Sequence, residues 1–274
     1  MSIDPMQNPK VREELRKAML KPLNEKSKVK KVVGIISGKG GVGKSLVTAL
    51  SAVKASRKGY RTGVLDADIT GPSVPKMFGV HEHAAVEAEN IIPAETPTGI
   101  KLISLNLLTD EETDPVVWRG PIIAGVVTQF WTDVVWGDID IMFIDMPPGT
   151  GDVPLTVFQT IPLDGVIVVT SPQELVSMIV EKAIKMAGMM DVPVLGLVEN
   201  MSYVKCPNCG EKIDVFGKSM STQVAAASGI SLIDKIPMDP EFSNLSDEGL
   251  IEYIQSDAMD CIVDICEKLG LDKE

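Results

Sequence analysis

Short apolar runs rich in β-branched residues alternate along most of the chain with longer stretches of helical periodicity. Val32 to Ser37, Arg61 to Leu65, Ile100 to Leu105, Ile141 to Asp145, Gly165 to Thr170, Pro193 to Glu199 and Ser231 to Ile236 read as strands. Their apolar character is nearly continuous, as expected of strands covered on both faces. Lys44 to Arg57, Ile122 to Val135, Val153 to Ile161 and Leu175 to Met189 read as the helices between them. The alternation predicts an α/β fold, a mostly parallel sheet with helices on both faces in a three-layer sandwich. In such sheets ligands bind beyond the carboxyl ends of the strands. Residues 1–30 are polar and Lys/Glu-rich, and they read as an N-terminal extension with a short helix over Asn8 to Leu20 that Pro22 ends. Residues 31–274 read as one domain, within which residues 80–98 are loop-like and receive no element.

Composition narrows the picture. A chain of 274 residues, 45% hydrophobic and 23% charged, suits one large α/β domain with a well-buried core. No apolar run approaches the roughly 20 residues of a membrane span, and Met1 to Lys10 has no apolar core of a secretory signal. The expectation is a cytoplasmic protein with no membrane partner. A formal net charge of −12 disfavours a nucleic-acid partner. The one basic run, Lys26, Lys28, Lys30 and Lys31, reads as solvated, and so does the His81/His83 pair in its acidic loop.

The candidate chemistry falls at strand ends. Gly38-Lys39-Gly40-Gly41-Val42-Gly43-Lys44-Ser45 matches G-x-x-x-x-G-K-[ST] with a strand before it and a helix after it, the context of a P-loop. The glycines let backbone N–H groups converge on a phosphate, and the following helix presents its positive end to the same anion. Lys44 suits the β and γ phosphates of ATP, and the Ser45 hydroxyl suits Mg²⁺. Asp145 ends an apolar strand beside the loop, where a carboxylate holds the Mg²⁺ shell. Asp66 stands in a similar place, either bonding the waters of Mg²⁺ or capping the next helix.

Four cysteines in a chain of this length do not suggest a disulfide framework. Cys261 and Cys266 lie in a helical segment and point about 140° apart, poor geometry for a shared ligand, so they read as buried helix residues. Cys206-Pro207-Asn208-Cys209-Gly210 makes a tight knuckle with both sulfurs facing one metal. Alone it fits half a zinc ribbon, half a cluster site or a redox dithiol. Two thiolates do not complete a four-ligand site, and a twofold axis between two copies would supply the other pair. The Met186 to Met190 stretch reads as the core end of a helix, and Trp118 and Arg119 receive no role.

The string GKGGVGKS, with Lys39 early in the loop, resembles the deviant-Walker ATPases, a group that includes the Mrp/ApbC cluster carriers, MinD and ParA positioning proteins and the nitrogenase iron protein. With DADITGPSVPKMFG, WRGP, DMPPGTGD, ENMSY and CPNCG following in that order, residues 30–260 resemble the Mrp/ApbC family of iron–sulfur cluster carriers in particular. The resemblance implies a P-loop NTPase fold with a CxxC insertion at 201–214. It implies a slow ATPase in a homodimer, with Lys39 reaching the partner's nucleotide and Asp68 positioning the attacking water. It also implies that Asn200 reads the adenine edge and that Pro237 and Asp239 of PMDP form the other wall of the base pocket. Cys206 and Cys209 would bind a bridging 4Fe–4S cluster that passes to apo iron–sulfur proteins. Residues 1–30 hold no cysteine, so the N-terminal four-cysteine motif of some relatives is not among them.

Two other functions compete with this one. A MinD/ParA-like positioning switch with a structural zinc knuckle would call for a basic amphipathic tail or basic patches, whereas Asp257 to Glu274 is acidic. A reductase like the nitrogenase iron protein would use single, distant cysteines in place of a CxxC.

Overall fold

The computed structural model describes residues 14, 17–69, 71, 73–87, 90–108, 120–172 and 176–271. Most of the expected helix over Asn8 to Leu20, the Trp118–Arg119 pair and Leu175 lie outside the described residues. The first half of the chain runs through β1 (Lys28–Ser37), α1 (Lys44–Arg57), β2 (Thr62–Asp66), α2 (Val74–Met77), β3 (Ala85–Glu87), β4 (Asn90–Ile92), β5 (Ala94–Glu95) and β6 (Lys101–Ile103). The middle holds α3 (Gly120–Thr132), β7 (Asp138–Asp145), α4 (Asp152–Thr160), β8 (Gly165–Thr170), α5 (Val176–Met189) and β9 (Val194–Glu199). The last part comprises β10 (Val204–Lys205), β11 (Lys212–Ile213), α6 (Ser221–Ala227), β12 (Leu232–Lys235), α7 (Pro240–Asp247) and α8 (Ile262–Lys268).

Among the described residues the main sheet has eight strands in the order β12-β9-β8-β1-β7-β2-β6-β5. All its pairings are parallel except β5 with β6. β2 and β8 are buried at every position, as strands covered on both faces must be. β1 lies between β7 and β8, near the middle of the sheet, so the loop that leaves it opens at the centre of the carboxyl edge.

Four differences from the sequence reading have physical causes. β1 begins at Lys28, inside the segment expected to be an extension, because its lysines meet an acidic neighbour strand. Lys30 Nζ lies 2.9 Å from Asp140 Oδ1, and Lys31 Nζ lies 3.0 Å from Asp164 Oδ1, so part of the basic run is ion-paired instead of merely solvated. Residues 80–98 do form structure, a β3–β4 hairpin and the edge strand β5, in pieces of two or three residues that carry no readable period. The expected helix over Ile122 to Val135 stops at Thr132, after which Val134 bridges to Ile91 and Trp136 is buried with its indole N–H on Phe130 O.

α1 is buried along nearly its whole length, because the C-terminal segment covers the side that the sheet does not. Arg57 Nη2 donates to Glu252 O at 2.6 Å, Tyr60 Oη donates to Leu271 O at 2.7 Å, and Lys54 bonds Asp260 at 2.5 Å. Of the two cysteines expected to be buried in a helix, only Cys266 is, within α8. Cys261 is half-buried at the N-cap position just before it and makes no capping bond, and burial foremost pushes both thiols up to about 12. At the end of α5 Ala187 is buried but Met189 is 68% exposed, so the methionine-rich stretch is only partly core. Among the described residues no helix is long and apolar enough to cross a membrane.

Candidate functional site

β1 ends at Ser37, and the loop of residues 38–43 turns the chain into α1. The turn needs a left-handed backbone at Gly41 (φ +83°) and at Gly43 (φ +78°). Gly43 is also a point of close approach, where a Cβ would lie 2.1 Å from Asn200 Nδ2. That amide donates a 2.9 Å bond to the Val42 carbonyl and fastens the loop to the turn after β9. Gly149 N–H donates to Ser37 O at 2.8 Å, which holds the PPGTGD segment against the base of the loop. α1 starts with no side-chain cap and no acidic residue in its first turn. Its leading N–H groups are therefore open to an anion.

Around Lys44 the structure gathers three carboxylates. The Lys44 side chain is 6% exposed, with its ammonium 2.8 Å from Asp145 Oδ1 and 3.4 Å from Asp68 Oδ2, yet neither approach is aligned as a hydrogen bond. Burial pulls the pKa of the ammonium down, but Asp145, then Asp68 and Asp66, outweigh it and leave the pKa raised. Asp145 is fully buried and accepts the Ser45 hydroxyl at 2.6 Å and the Thr48 hydroxyl at 2.8 Å. Asp66 accepts Asp68 N–H at 3.0 Å and the buried Ser104 hydroxyl at 3.2 Å. Burial foremost, and the charge of Asp145 next, push the Asp66 carboxyl well above the usual range against the pull of Lys44. A buried ammonium without an aligned acceptor, beside open helix amides and a carboxylate cluster, fits a phosphate chain with its divalent cation.

Two clefts meet at Leu46. One, of about 260 Å³, is lined by the loop, Lys44, Ser45, Asp68 and Pro148. The other, of about 550 Å³, brings together Asn200, Pro237 and Asp239 with Met201, Val204 and Phe242. Asp239 also caps α7, its carboxylate accepting Glu241 N–H at 3.0 Å. Lys39 is exposed and lines both the first of these clefts and a third recess, of about 250 Å³, with Thr150, Met178 and Lys182. His81 and His83 line a larger open cavity of about 700 Å³ apart from these groups. Among the described residues no cluster of three or more His, Cys, Asp or Glu side chains is placed to hold a metal ion.

The CxxC sits at the tip of a small hairpin. β10 and β11 pair antiparallel on either side of it, Cys206 N–H donates to Glu211 O, and Gly210 N–H donates to Cys206 O, both at 2.9 Å. Gly210 takes the left-handed φ of +75° that closes the knuckle. Cys206 is half-buried and Cys209 exposed. The backbone N–H groups of Asn208 and Cys209, then the Cys209 thiol, hold the Cys206 thiol below its usual pKa. Lys212 Nζ lies 4.2 Å from the centre of the Tyr203 ring, steadying the hairpin root.

Several supporting residues escaped the sequence reading. Thr48 follows Lys44 by one helical turn and orients Asp145, but a Thr inside a helix carries no motif. Ser104, the residue just after β6, reaches Asp66, a contact that only the sheet order creates. Glu199 had a readable signal, a carboxylate ending an apolar strand as Asp145 does. It is fully buried; burial would raise its pKa, but the hydroxyls of Ser202, Ser219 and Ser221 and then Lys235 lower it overall.

A central parallel sheet, a glycine loop leading into an uncapped helix, and a lysine among strand-end carboxylates define a P-loop NTPase. The family described as ParA: NUBPL iron-transfer P-loop NTPase matches residues 28–270, and the chain belongs to that family. Its relatives include the iron–sulfur cluster carrier protein of Clostridium perfringens, 47% identical over 82% of this chain and 81% of that one. The protein of the same description from Methanocaldococcus jannaschii is 44% identical over 82% of this chain and 78% of its own length. A solved nucleotide-binding protein from Archaeoglobus fulgidus, in complex with ADP, is 42% identical over 89% of this chain and 94% of that one, with a TM-score of 0.76. The MinD cell division protein of Aquifex aeolicus shares the fold at a TM-score of 0.58 and 17% identity, over 89% of this chain and 98% of its own.

Proposed function

We propose that this chain binds and slowly hydrolyses MgATP and, as a homodimer, carries a 4Fe–4S cluster that it hands to apo iron–sulfur proteins. The observation that carries the reading is the accessible Cys206–Cys209 pair on a hairpin whose first strand also lines the nucleotide cleft. The names of the Clostridium and Methanocaldococcus relatives, and the ADP in the Archaeoglobus structure, support it.

In this reading the loop amides of residues 38–43 and the first turn of α1 hold the phosphates, and Lys44 exchanges its unaligned carboxylate contacts for the β and γ oxygens. Ser45 and Asp145 hold Mg²⁺, which offsets the charge of the phosphates; Asp66 anchors the carboxylate cluster. Asp68 orients the attacking water. Lys39, at the exposed side of the loop, reaches the partner's nucleotide, so an isolated copy turns over slowly. Asn200, Pro237 and Asp239 seat the base in the larger cleft. Cys206 and Cys209 supply two thiolates of a four-ligand site, and a second copy across a twofold axis supplies the others. A cytoplasmic setting keeps both thiols reduced.

Transfer is the direct test of function. Cluster-loaded protein, mixed anaerobically with an apo ferredoxin, is expected to restore the acceptor's visible spectrum, and a Cys206→Ala/Cys209→Ala variant is expected to restore none. Equal restoration by both would refute the assignment of the thiols.

A further inference from the structure

The nucleotide loop and the thiol hairpin are joined through four consecutive residues, Glu199 to Ser202. Asn200 faces the loop, its side chain on Val42 O and its N–H on Thr170 O, both at 2.9 Å. Met201 then takes φ +56°, a left-handed conformation that a residue with a Cβ keeps only where surrounding bonds over-determine it. Those bonds converge on Glu199. Its Oε1 accepts the Ser202 hydroxyl at 2.5 Å and lies 3.5 Å from Lys235 Nζ, and its Oε2 accepts the Ser219 hydroxyl. Ser202 precedes the Cys206–Cys209 pair and Ser219 follows it. One buried carboxylate therefore gathers both roots of the excursion that carries the thiols.

Such a group is expensive to bury, and apolar side chains would close the same turn without that desolvation. It touches neither the Lys44 cluster nor the thiols. What distinguishes its position is that Asn200, Met201 and Val204 all line the larger cleft. A ligand entering that cleft meets the turn and the first strand of the hairpin together.

We propose that Glu199 is a positioning residue that couples occupancy of the nucleotide cleft to the exposure of Cys206 and Cys209. The inference rests on the carrier reading above for its purpose, since it gives nucleotide a route to the bound cargo. The two are separable by experiment, because the coupling is measured on cluster-free protein.

The test is peptide-resolved iodoacetamide labelling of the reduced full chain, without nucleotide and with a non-hydrolysable MgATP analogue; Cys261 and Cys266, which stay unlabelled while the chain is folded, report any unfolding. In the wild type the analogue is expected to change the rate at Cys206 and Cys209 by about five-fold, the lower end of ordinary allosteric couplings. In Glu199→Gln and in Ser219→Ala the analogue is expected still to bind while that ratio collapses towards one. A merely structural Glu199 would lower the melting temperature and shift labelling equally with and without nucleotide, leaving the ratio intact, and that result overturns the proposal. So does a wild type whose thiols ignore nucleotide. If Glu199→Gln fails to fold, Ser219→Ala, which leaves the carboxylate and Ser202 in place, decides the matter alone.

Discussion

Replacing Gly43 by Ala imposes two separable penalties on the phosphate loop. The first is backbone: a residue with a Cβ held at φ +78° loses about 1 kcal/mol relative to Gly. The second is contact: the new Cβ would lie 2.1 Å from Asn200 Nδ2, so the amide must leave the buried bond it donates to Val42 O. Losing that bond and stranding a buried carbonyl costs about 1–3 kcal/mol, for a total of about 2–4 kcal/mol. Gly41 is the built-in control, since it has φ +83° but nothing within 4 Å of its Cβ position; Gly41→Ala should therefore cost about 1 kcal/mol. The assay is denaturant unfolding of the nucleotide-free protein for Gly41→Ala, Gly43→Ala, Asn200→Ala and the Gly43→Ala/Asn200→Ala pair. With the amide already gone the clash disappears, and the lost bond is counted once instead of twice, so the double variant should be more stable than the sum of the singles by the same amount, about 1–3 kcal/mol. Equal losses at Gly41 and Gly43, or strict additivity in the pair, would refute the reasoning.

Three further outcomes are expected. Asp66 has a folded pKa raised above its unfolded value, so the stability it contributes is full below about pH 4 and is lost as pH rises towards the raised value; Asp66→Asn should abolish that loss and make the nucleotide-free protein more stable at neutral pH, and unfolding midpoints measured from pH 4 to 8 check this. Thr48→Val removes one of the two hydroxyls on Asp145, and calorimetric titration should show MgADP affinity falling about ten-fold with a smaller change for ADP without Mg²⁺. Because both Cys261 and Cys266 are pushed up to about 12, alkylation of the native protein at pH 8 should modify Cys206 and Cys209 while the other two react only on unfolding.

Much of the fold could be read from the sequence, since buried parallel strands and a 14-residue helix leave strong periods: α1 and β8 fall where the pattern put them. The strand–loop–helix turn over residues 37–44 was equally readable, because its glycines fall in one contiguous motif and two of them, Gly41 and Gly43, take the left-handed backbone the turn needs. The two- and three-residue strands between 85 and 95 were not readable, as they are too short for a period and owe their form to β6 and to each other. Nor were the contacts that build the site at a distance. Asn200 bracing Val42, Ser104 reaching Asp66 and Glu199 clamping two serines each depend on which strands become neighbours. The lysines of β1 could be counted in advance, but their partners Asp140 and Asp164 came into view only with the register of the sheet and the turn before β8.

The central claim, a cluster held by one thiol pair from each of two copies, is tested most directly by anaerobic reconstitution with iron and sulfide. Iron, acid-labile sulfide and zinc are counted per chain, and the mass in solution is measured alongside. The account predicts a dimer with about two irons per chain, four per pair, as one four-cysteine 4Fe–4S cluster requires, and no iron uptake by Cys206→Ala/Cys209→Ala. A wild type that keeps zinc at the knuckle and takes up no iron would contradict it.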